Sequence, residues 1–384
     1  MQRIEDIKDK RVLLRLDLNV PMRNGKISDV SRLRAVLPTI RLLLKNNNAI
    51  IIISHYGRPK GKDTEYSLRP VALKLSDLLR KDVHFSNSIT SKKTISFAQK
   101  IPLKSIMMLE NLRFYEEEEK GDFEFAKSLS SMADCFVNDA FSASHREHAS
   151  ITGIPKYIPS FEGLHFREEH QNLNLSVNPK NPSLAIIGGA KISTKIGVIK
   201  TLLKKYDYVF IGGAMMFTLL KSQGYCVGKS LVENDKLGEA KKLVKNPKII
   251  IAEDVVASKT VSSNGRHYIK KIDEIDVDDI GLDIGPKSIK KLSSLIRKSK
   301  TIVWNGPLGL VELKPYRNGT EEIAKLLSKR RVDTILGGGD TLAIIKKLKL
   351  SGYTYVSTSG GAMLEFIEYG SLPGIKAIKN SVKK

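Results

Sequence analysis

Short, predominantly apolar runs, each stopped by a glycine or polar turn and followed by an amphipathic helix, recur along the entire chain. In the first half, residues 11–16 stop at Asp17-Leu18-Asn19-Val20-Pro21 and 49–53 at Ser54-His55-Tyr56-Gly57-Arg58-Pro59. Residues 106–109 stop at Glu110-Asn111-Leu112-Arg113, and 135–137 at Asn138-Asp139-Ala140-Phe141. Helical patterns lie between them, as in residues 31–46, where Leu33, Val36, Leu37, Ile40 and Leu43 fall at helical spacing. A strand apolar on both faces must be covered on both faces, and strands that alternate with helices reach that state as a parallel sheet between helical layers. The expected fold is α/β, with doubly wound, Rossmann-like parallel sheets.

The second half keeps this order but changes its turns. Residues 184–187 lead to Gly188-Gly189-Ala190-Lys191, 208–211 to Gly212-Gly213-Ala214, and 301–304 to Asn305-Gly306-Pro307. Residues 334–336 lead to Gly337-Gly338-Gly339-Asp340-Thr341, and 353–356 to Ser357-Thr358-Ser359-Gly360-Gly361. Ligands of open parallel sheets sit at the carboxyl ends of the strands. Those ends carry charges in the first half and glycines in the second, so two lobes binding two different ligands are expected. A length of 384 residues, at roughly 150 per domain, gives the same count. The boundary falls where the pattern lapses: residues 162–175 read as one helix, and Asn178-Pro179-Lys180-Asn181-Pro182 as a linker. The expected division is 1–165, a linking helix and linker over 166–182, and 183–371. Residues 259–279 are polar and irregular, with Ser262-Ser263-Asn264-Gly265 a hairpin turn or excursion.

No window approaches 18 consecutive apolar residues, so no membrane span is expected. The opening stretch MQRIEDIKDK has no apolar core of a secretory signal. Cys135 and Cys226 are far apart, without zinc spacing, and read as reduced thiols of a cytoplasmic protein. The formal charge of +23 invites a nucleic-acid reading. Yet the lysines are dispersed, as at Lys8, Lys10, Lys60, Lys62, Lys204, Lys205, Lys383 and Lys384, and form no long run interleaved with aromatics. They read as a solvated surface whose field favours anionic substrates, and no specific nucleic acid is expected.

Glycine between strand and helix lets backbone N–H groups approach phosphate oxygens at a helix N-terminus. One such turn is uninformative, because tight turns need glycine anyway; five in one half point to a nucleotide or polyphosphate. No GxGxxG opens a helix, and Gly228-Lys229-Ser230 lacks the upstream glycine of a P-loop, with Gln223 in its place, so it reads as a turn. Lys191 and Lys195, four apart, are expected on one face of the helix after Gly188-Gly189, where a phosphate would relieve their repulsion. Asp340 either caps a helix or holds Mg²⁺ against phosphate. In the first half Arg32, His55, Arg58, Arg113 and Arg146 lie at or after strand ends, and converging arginines suit a small, multiply anionic substrate. Asp17 and Asn19 either meet a substrate hydroxyl or close the turn before Pro21. The pair His145 and His148 has metal-like spacing without a third ligand. The acidic run 116–119 reads as a solvated loop or a helix start favoured by the helix dipole, without chemistry of its own.

The segments RVLLRLDLNVP (residues 11–21), SHYGRPKG (54–61), ENLRFY (110–115), FVNDAF with HREHAS (136–150), GGAKISTKIGV, GYCVGKSLVE, GLDIGPKS, WNGPLGLVE and GGGDT resemble phosphoglycerate kinases in order and spacing across the chain. The resemblance implies two α/β domains joined by a helix and hinge, with triose on the basic first lobe and nucleotide on the second. It implies reversible phosphoryl transfer between 1,3-bisphosphoglycerate and ADP, giving 3-phosphoglycerate and MgATP, in a cytoplasmic, monomeric enzyme. It also implies that the tail, residues 372–384, packs back on the first lobe. Carried over by match, Asp17, Asn19, Arg32, His55, Arg58, Arg113 and Arg146 hold the triose, with Arg32 and Lys191 catalytic. Gly189, Lys191, Lys195, Gly213, Asn305, Pro307, Glu312, Gly338, Gly339, Asp340 and Thr341 hold the nucleotide, with Asp340 on Mg²⁺. Gly360 and Gly361 form the phosphoryl-transfer loop. A carboxylate acceptor is already ionised at pH 7, so catalysis reduces to positioning and charge neutralisation. The family usually has glycine where this chain has Ser142 and Ser359, and GLHFREEH departs from its linker-helix pattern. If Ser359 needed a positive φ, strain of roughly 1–2 kcal/mol would follow.

Overall fold

The computed structural model describes residues 3–23 and 25–382. The first two residues of the opening stretch, and Lys383 and Lys384 of the expected tail, lie outside the described residues. The chain divides into two units: Met1–Gln171 with Ser371–Lys384, and Asn172–Gly370.

The first unit holds β1 (Arg11–Leu16), β2 (Ala49–Ile53), β3 (Val83–Ser86), β4 (Ile106–Leu109), β5 (Cys135–Asp139) and β6 (Ser160–Glu162). They form one parallel sheet in the order β3-β4-β2-β1-β5-β6. Side chains alternate along a strand, so Val12, Leu14, Leu16, Ile50, Ile52 and Val137 enter one core, while Leu13, Ile51, Ile53 and Phe136 enter the other. That double burial is why the runs are predominantly apolar. Helix Ser31–Lys45 covers the first core with Leu33, Val36, Leu37, Ile40 and Leu43. Because β1 pairs with β2 on one side and β5 on the other, its carboxyl end is a topological switch point, where a doubly wound sheet opens a crevice.

The last segment of the chain completes this unit. Helix Pro373–Lys379 docks with Gly374 N donating to Ser144 O at 2.9 Å, and Val382 N donates to Pro155 O at 3.4 Å.

The second unit holds β7 (Ser183–Ile187), β8 (Tyr208–Ile211), β9 (Ile249–Ile251), β10 (Asp254–Ser258), β11 (His267–Lys271), β12 (Ile280–Ile284), β13 (Thr301–Asn305), β14 (Asp333–Gly337) and β15 (Tyr355–Val356). Its parallel sheet runs β9-β8-β7-β13-β14-β15, with the switch point at β7. A separate antiparallel sheet, β11-β10-β12, brackets the stretch 259–279 read from sequence as irregular and places one strand, β11, inside it, after the hairpin turn expected at 262–265. β11 alternates exposed and half-buried residues and carries four charged or titratable side chains, which hid its strand character. Helix Leu164–Val177 starts two residues later than its pattern suggested. Among the described residues no helix is long and apolar enough to cross a membrane.

Candidate active site

In the first unit the strand ends bring most of the expected residues together. Asp17 follows β1, and its Oδ2 accepts Arg32 Nη1 at 2.5 Å and the Ser142 hydroxyl. Asn19 N donates to Asp17 Oδ1 at 3.2 Å, while Asn19 Oδ1 accepts Gly57 N at 3.1 Å, which ties the β1 turn to the β2 turn. Burial pushes the Asp17 carboxyl up, but the charge of Arg32 and the donors Ser142 and Asn19 outweigh it and hold it below its ordinary value.

His55, at the end of β2, is buried, with Nδ1 3.0 Å from Arg15 Nη2. Its own desolvation, then Arg15, drive its pKa well down, so the ring is neutral near pH 7. Arg113 is buried, donates through Nη1 to Gly57 O, and has Nε 3.1 Å from Glu119 Oε1. Burial first, then Arg146, lowers Arg113 to about 10, with Arg15 and the exposed Arg58 adding to the push and Glu119 opposing it. His148 is pushed to about 3 by burial and then by Arg146, Arg15 and Arg113. Cations crowded until nearby histidines stay neutral make a site for a multiply charged anion.

Two readings of this region are corrected. The run 116–119 is the helix start, opening helix Glu116–Lys120, but it is not wholly solvated: Glu118 is completely buried, with its carboxylate accepting from Ser150. Arg15 escaped notice inside an apolar run, although a lone charge in a strand buried on both faces was itself a signal. Ser142 is not in the left-handed region, so it occupies its position without that strain.

The second unit interlocks its glycine turns. Gly188 N donates to Asn305 O and Gly189 N to Pro307 O, both at 2.9 Å, and Gly213 N donates to Leu308 O at 3.1 Å. Lys191 and Lys195 do not share a helical face, because residues 191–195 form a turn and the helix is Ile196–Lys205. Glu233 holds that turn by accepting Ser193 N at 3.0 Å and Ser193 Oγ at 2.5 Å. Lys191 is left exposed, while Lys195 Nζ reaches back to Gly188 O at 2.6 Å and Asn305 Oδ1 at 2.9 Å.

Past β14, Gly338 has φ +99° and helix Gly339–Lys347 begins, with Asp340 exposed in its first turn and making no cap. Thr341 Oγ1 and Asn305 Nδ2 are buried without a hydrogen-bond partner, two polar atoms facing ligand-sized needs beside open helix N–H groups. Gly360 has φ +44° before helix Gly361–Tyr369, and a Cβ at either Gly360 or Gly361 would meet open space. Ser359 is not in the left-handed region either, so the strain considered above does not arise. Glu312 stands exposed beyond the Gly306 turn. Among the described residues no three His, Cys, Asp or Glu side chains group to cage a metal. A single carboxylate beside a phosphate cradle fits a divalent ion that keeps waters and phosphate oxygens as its other ligands.

Burial lowers Lys195 to about 8, only partly countered by Asp340. The sign follows: a lysine depressed on folding holds fewer protons than in the unfolded chain between about pH 8 and its ordinary 10.4, so stability rises with pH across that window. A phosphate beside Nζ restores the cation, so nucleotide binding at pH 8 is expected to take up about half a proton and at pH 6 nearly none. Calorimetry in buffers of differing ionisation heat measures this; buffer-independent heats at pH 8 would rule it out.

One doubly wound unit with a cationic crevice and another with an open glycine cradle for phosphates are the features of a small-molecule kinase. Comparison with known families gives the same class. The family model described as phosphoglycerate kinase matches residues 1–369, and the chain belongs to that family. The phosphoglycerate kinase of Dictyoglomus turgidum is 45% identical over 386 residues, covering 98% of each chain. The cytosolic phosphoglycerate kinase of Nicotiana tabacum is 43% identical over 388 residues, covering 98% of this chain and 97% of its own. The solved phosphoglycerate kinase of Coxiella burnetii superposes with TM-score 0.89 at 36% identity, covering 98% of each chain.

Proposed function

We propose that this chain transfers a phosphoryl group reversibly between 1,3-bisphosphoglycerate and ADP, giving 3-phosphoglycerate and ATP, in the cytoplasm and as a monomer. The observation that carries the reading is the crowded set Arg32, His55, Arg113 and Arg146 at the first unit's strand ends, in a member of this family. The named cytosolic relative supports the compartment.

In the ATP-consuming direction a carboxylate oxygen of 3-phosphoglycerate attacks the γ-phosphorus, and the bond from that phosphorus to the ADP oxygen breaks. The acceptor carries no proton to remove, so no general base is needed. Arg58, Arg113, Arg146 and His55 hold the triose anion, and Asp17 and Asn19 take its hydroxyl. Lys195, Gly189, Gly213, Asn305 and Pro307 line the nucleotide phosphates, Glu312 meets the ribose, and Gly338, Gly339 and Thr341 donate to phosphate oxygens. Arg32 and Lys191 neutralise the phosphoryl group in transit, helped by N–H groups at Gly360 and Gly361. Asp340 would hold Mg²⁺ on the nucleotide, which supplies further charge neutralisation. Donor and acceptor held by different units require a hinge-closing step before transfer.

The test is ATP-dependent phosphorylation of 3-phosphoglycerate, with magnesium and with a chelator. Turnover that the chelator abolishes is expected. A wild-type protein that turns over no 3-phosphoglycerate would overturn the substrate assignment. Phosphorylation of another phosphorylated carboxylic acid, or steeply salt-dependent nucleic-acid binding, would name its replacement.

A further inference from the structure

Glu118 is fully buried and has no part in the steps above. Burial raises its pKa, opposed by Arg15 and the two Ser150 donors, and with the carboxylate ionised its neighbours form a hydrogen-bond chain of one direction. Arginine carries donors only, so Arg15 Nη2 donates to His55 Nδ1 at 3.0 Å and Arg15 Nε donates to Ser150 Oγ at 3.0 Å. The single Ser150 hydroxyl proton then goes to Glu118 Oε1 at 2.6 Å, and the Ser150 N–H goes to Oε2 at 2.9 Å. The third Arg15 nitrogen, Nη1, donates to Leu16 O at 2.5 Å. Arg15, Ser150 and His55 are all buried. With Nδ1 accepting from a permanent cation, the neutral ring keeps its proton on Nε2.

We propose that Glu118 is a positioning residue for the anionic substrate: through Ser150 and Arg15 it fixes His55 as the neutral Nε2–H tautomer, a hydrogen-bond donor to the triose. The inference deepens the functional reading above and rests on it. A buried guanidinium needs a counter-charge. Arg146 repels Arg15, whereas Glu118 and Asp17 are the anions that favour its charge. Without Glu118, Arg15 would compete for Asp17, the carboxylate that Arg32 uses. Glu118 therefore frees Asp17 for the site.

Wild-type turnover of 3-phosphoglycerate is measured first. Its absence defeats the functional reading, and the tautomer comparison below still tests the chain of contacts by itself. Glu118→Gln, close in shape but neutral, is expected to raise KM for 3-phosphoglycerate roughly 10- to 100-fold, leave KM for ATP nearly unchanged, and end the uniform Nε2–H signature of His55 in ¹H–¹⁵N spectra. Glu118→Asp, which keeps the charge, restores part of both. A folded E118Q with unaltered triose KM and an unaltered His55 spectrum overturns the proposal, as does an equal loss for both substrates. If E118Q does not fold, Ser150→Ala, which cuts the link from Glu118 to Arg15, takes its place: a selective rise in triose KM with loss of the uniform Nε2–H signature upholds the proposal, and an unaltered triose KM and His55 spectrum overturn it.

Discussion

Arg32→Ala should lower kcat by roughly 10³-fold while moving stability by less than about 1 kcal/mol. The two magnitudes separate because they have different origins. In the free protein Arg32 is one-third exposed and pairs with Asp17 at 2.5 Å, and a pair of that exposure contributes little to folding. Asp17 would not be orphaned, since Ser142 and Asn19 still donate to it. The transferring phosphoryl group, by contrast, loses a fixed cation that no solvent dipole replaces. Arg32→Lys should recover only part of the rate, because a point charge cannot reproduce the planar fork of donors. Single-turnover kinetics with a parallel thermal melt decide it. A rate within tenfold of wild type would remove Arg32 from the catalytic group.

Gly306→Ala should destabilise the second unit by about 3 kcal/mol or more and remove nucleotide binding, while 3-phosphoglycerate still binds. Gly306 has φ +90°, a region that costs an L-residue about 1–2 kcal/mol. A Cβ there would also collide with the Gly188 carbonyl and crowd Lys195 Nζ, and backbone cannot swing aside as a side chain can. The same turn supplies the Asn305 and Pro307 carbonyls that hold Gly188 and Gly189. One added methyl group thus reaches three parts of the phosphate site at once. Calorimetric unfolding together with titrations of each ligand would show it; an unchanged melt and unchanged ADP affinity would refute it.

What the sequence made legible follows from how local each cause is. β1 and β2 were readable to the residue, because burial on both faces leaves a run with no polar interruption except Arg15. The edge strand β3 was not, since an edge keeps part of its surface in water and its pattern fades, and β9 was passed over because its strand is only three isoleucines long. Asp17, His55 and Arg113 were legible as strand-end residues. The geometry of Lys191 and Lys195 was not, because the contact that bends their turn comes from Glu233, forty residues away. Glu118 was missed for a related reason: charge within an acidic run says solvent, and only its partner Ser150, 32 residues on, says otherwise.

The first unit owes its completion to helix Pro373–Lys379 and the residues after it, which follow the entire second unit in the chain. Synthesis is vectorial, and domains generally fold as they emerge, the earlier one first. Here the carbonyls of Ser144 and Pro155 wait for Gly374 and Val382 until the whole second unit has been synthesised. On the ribosome the unit that begins first is the one that finishes last.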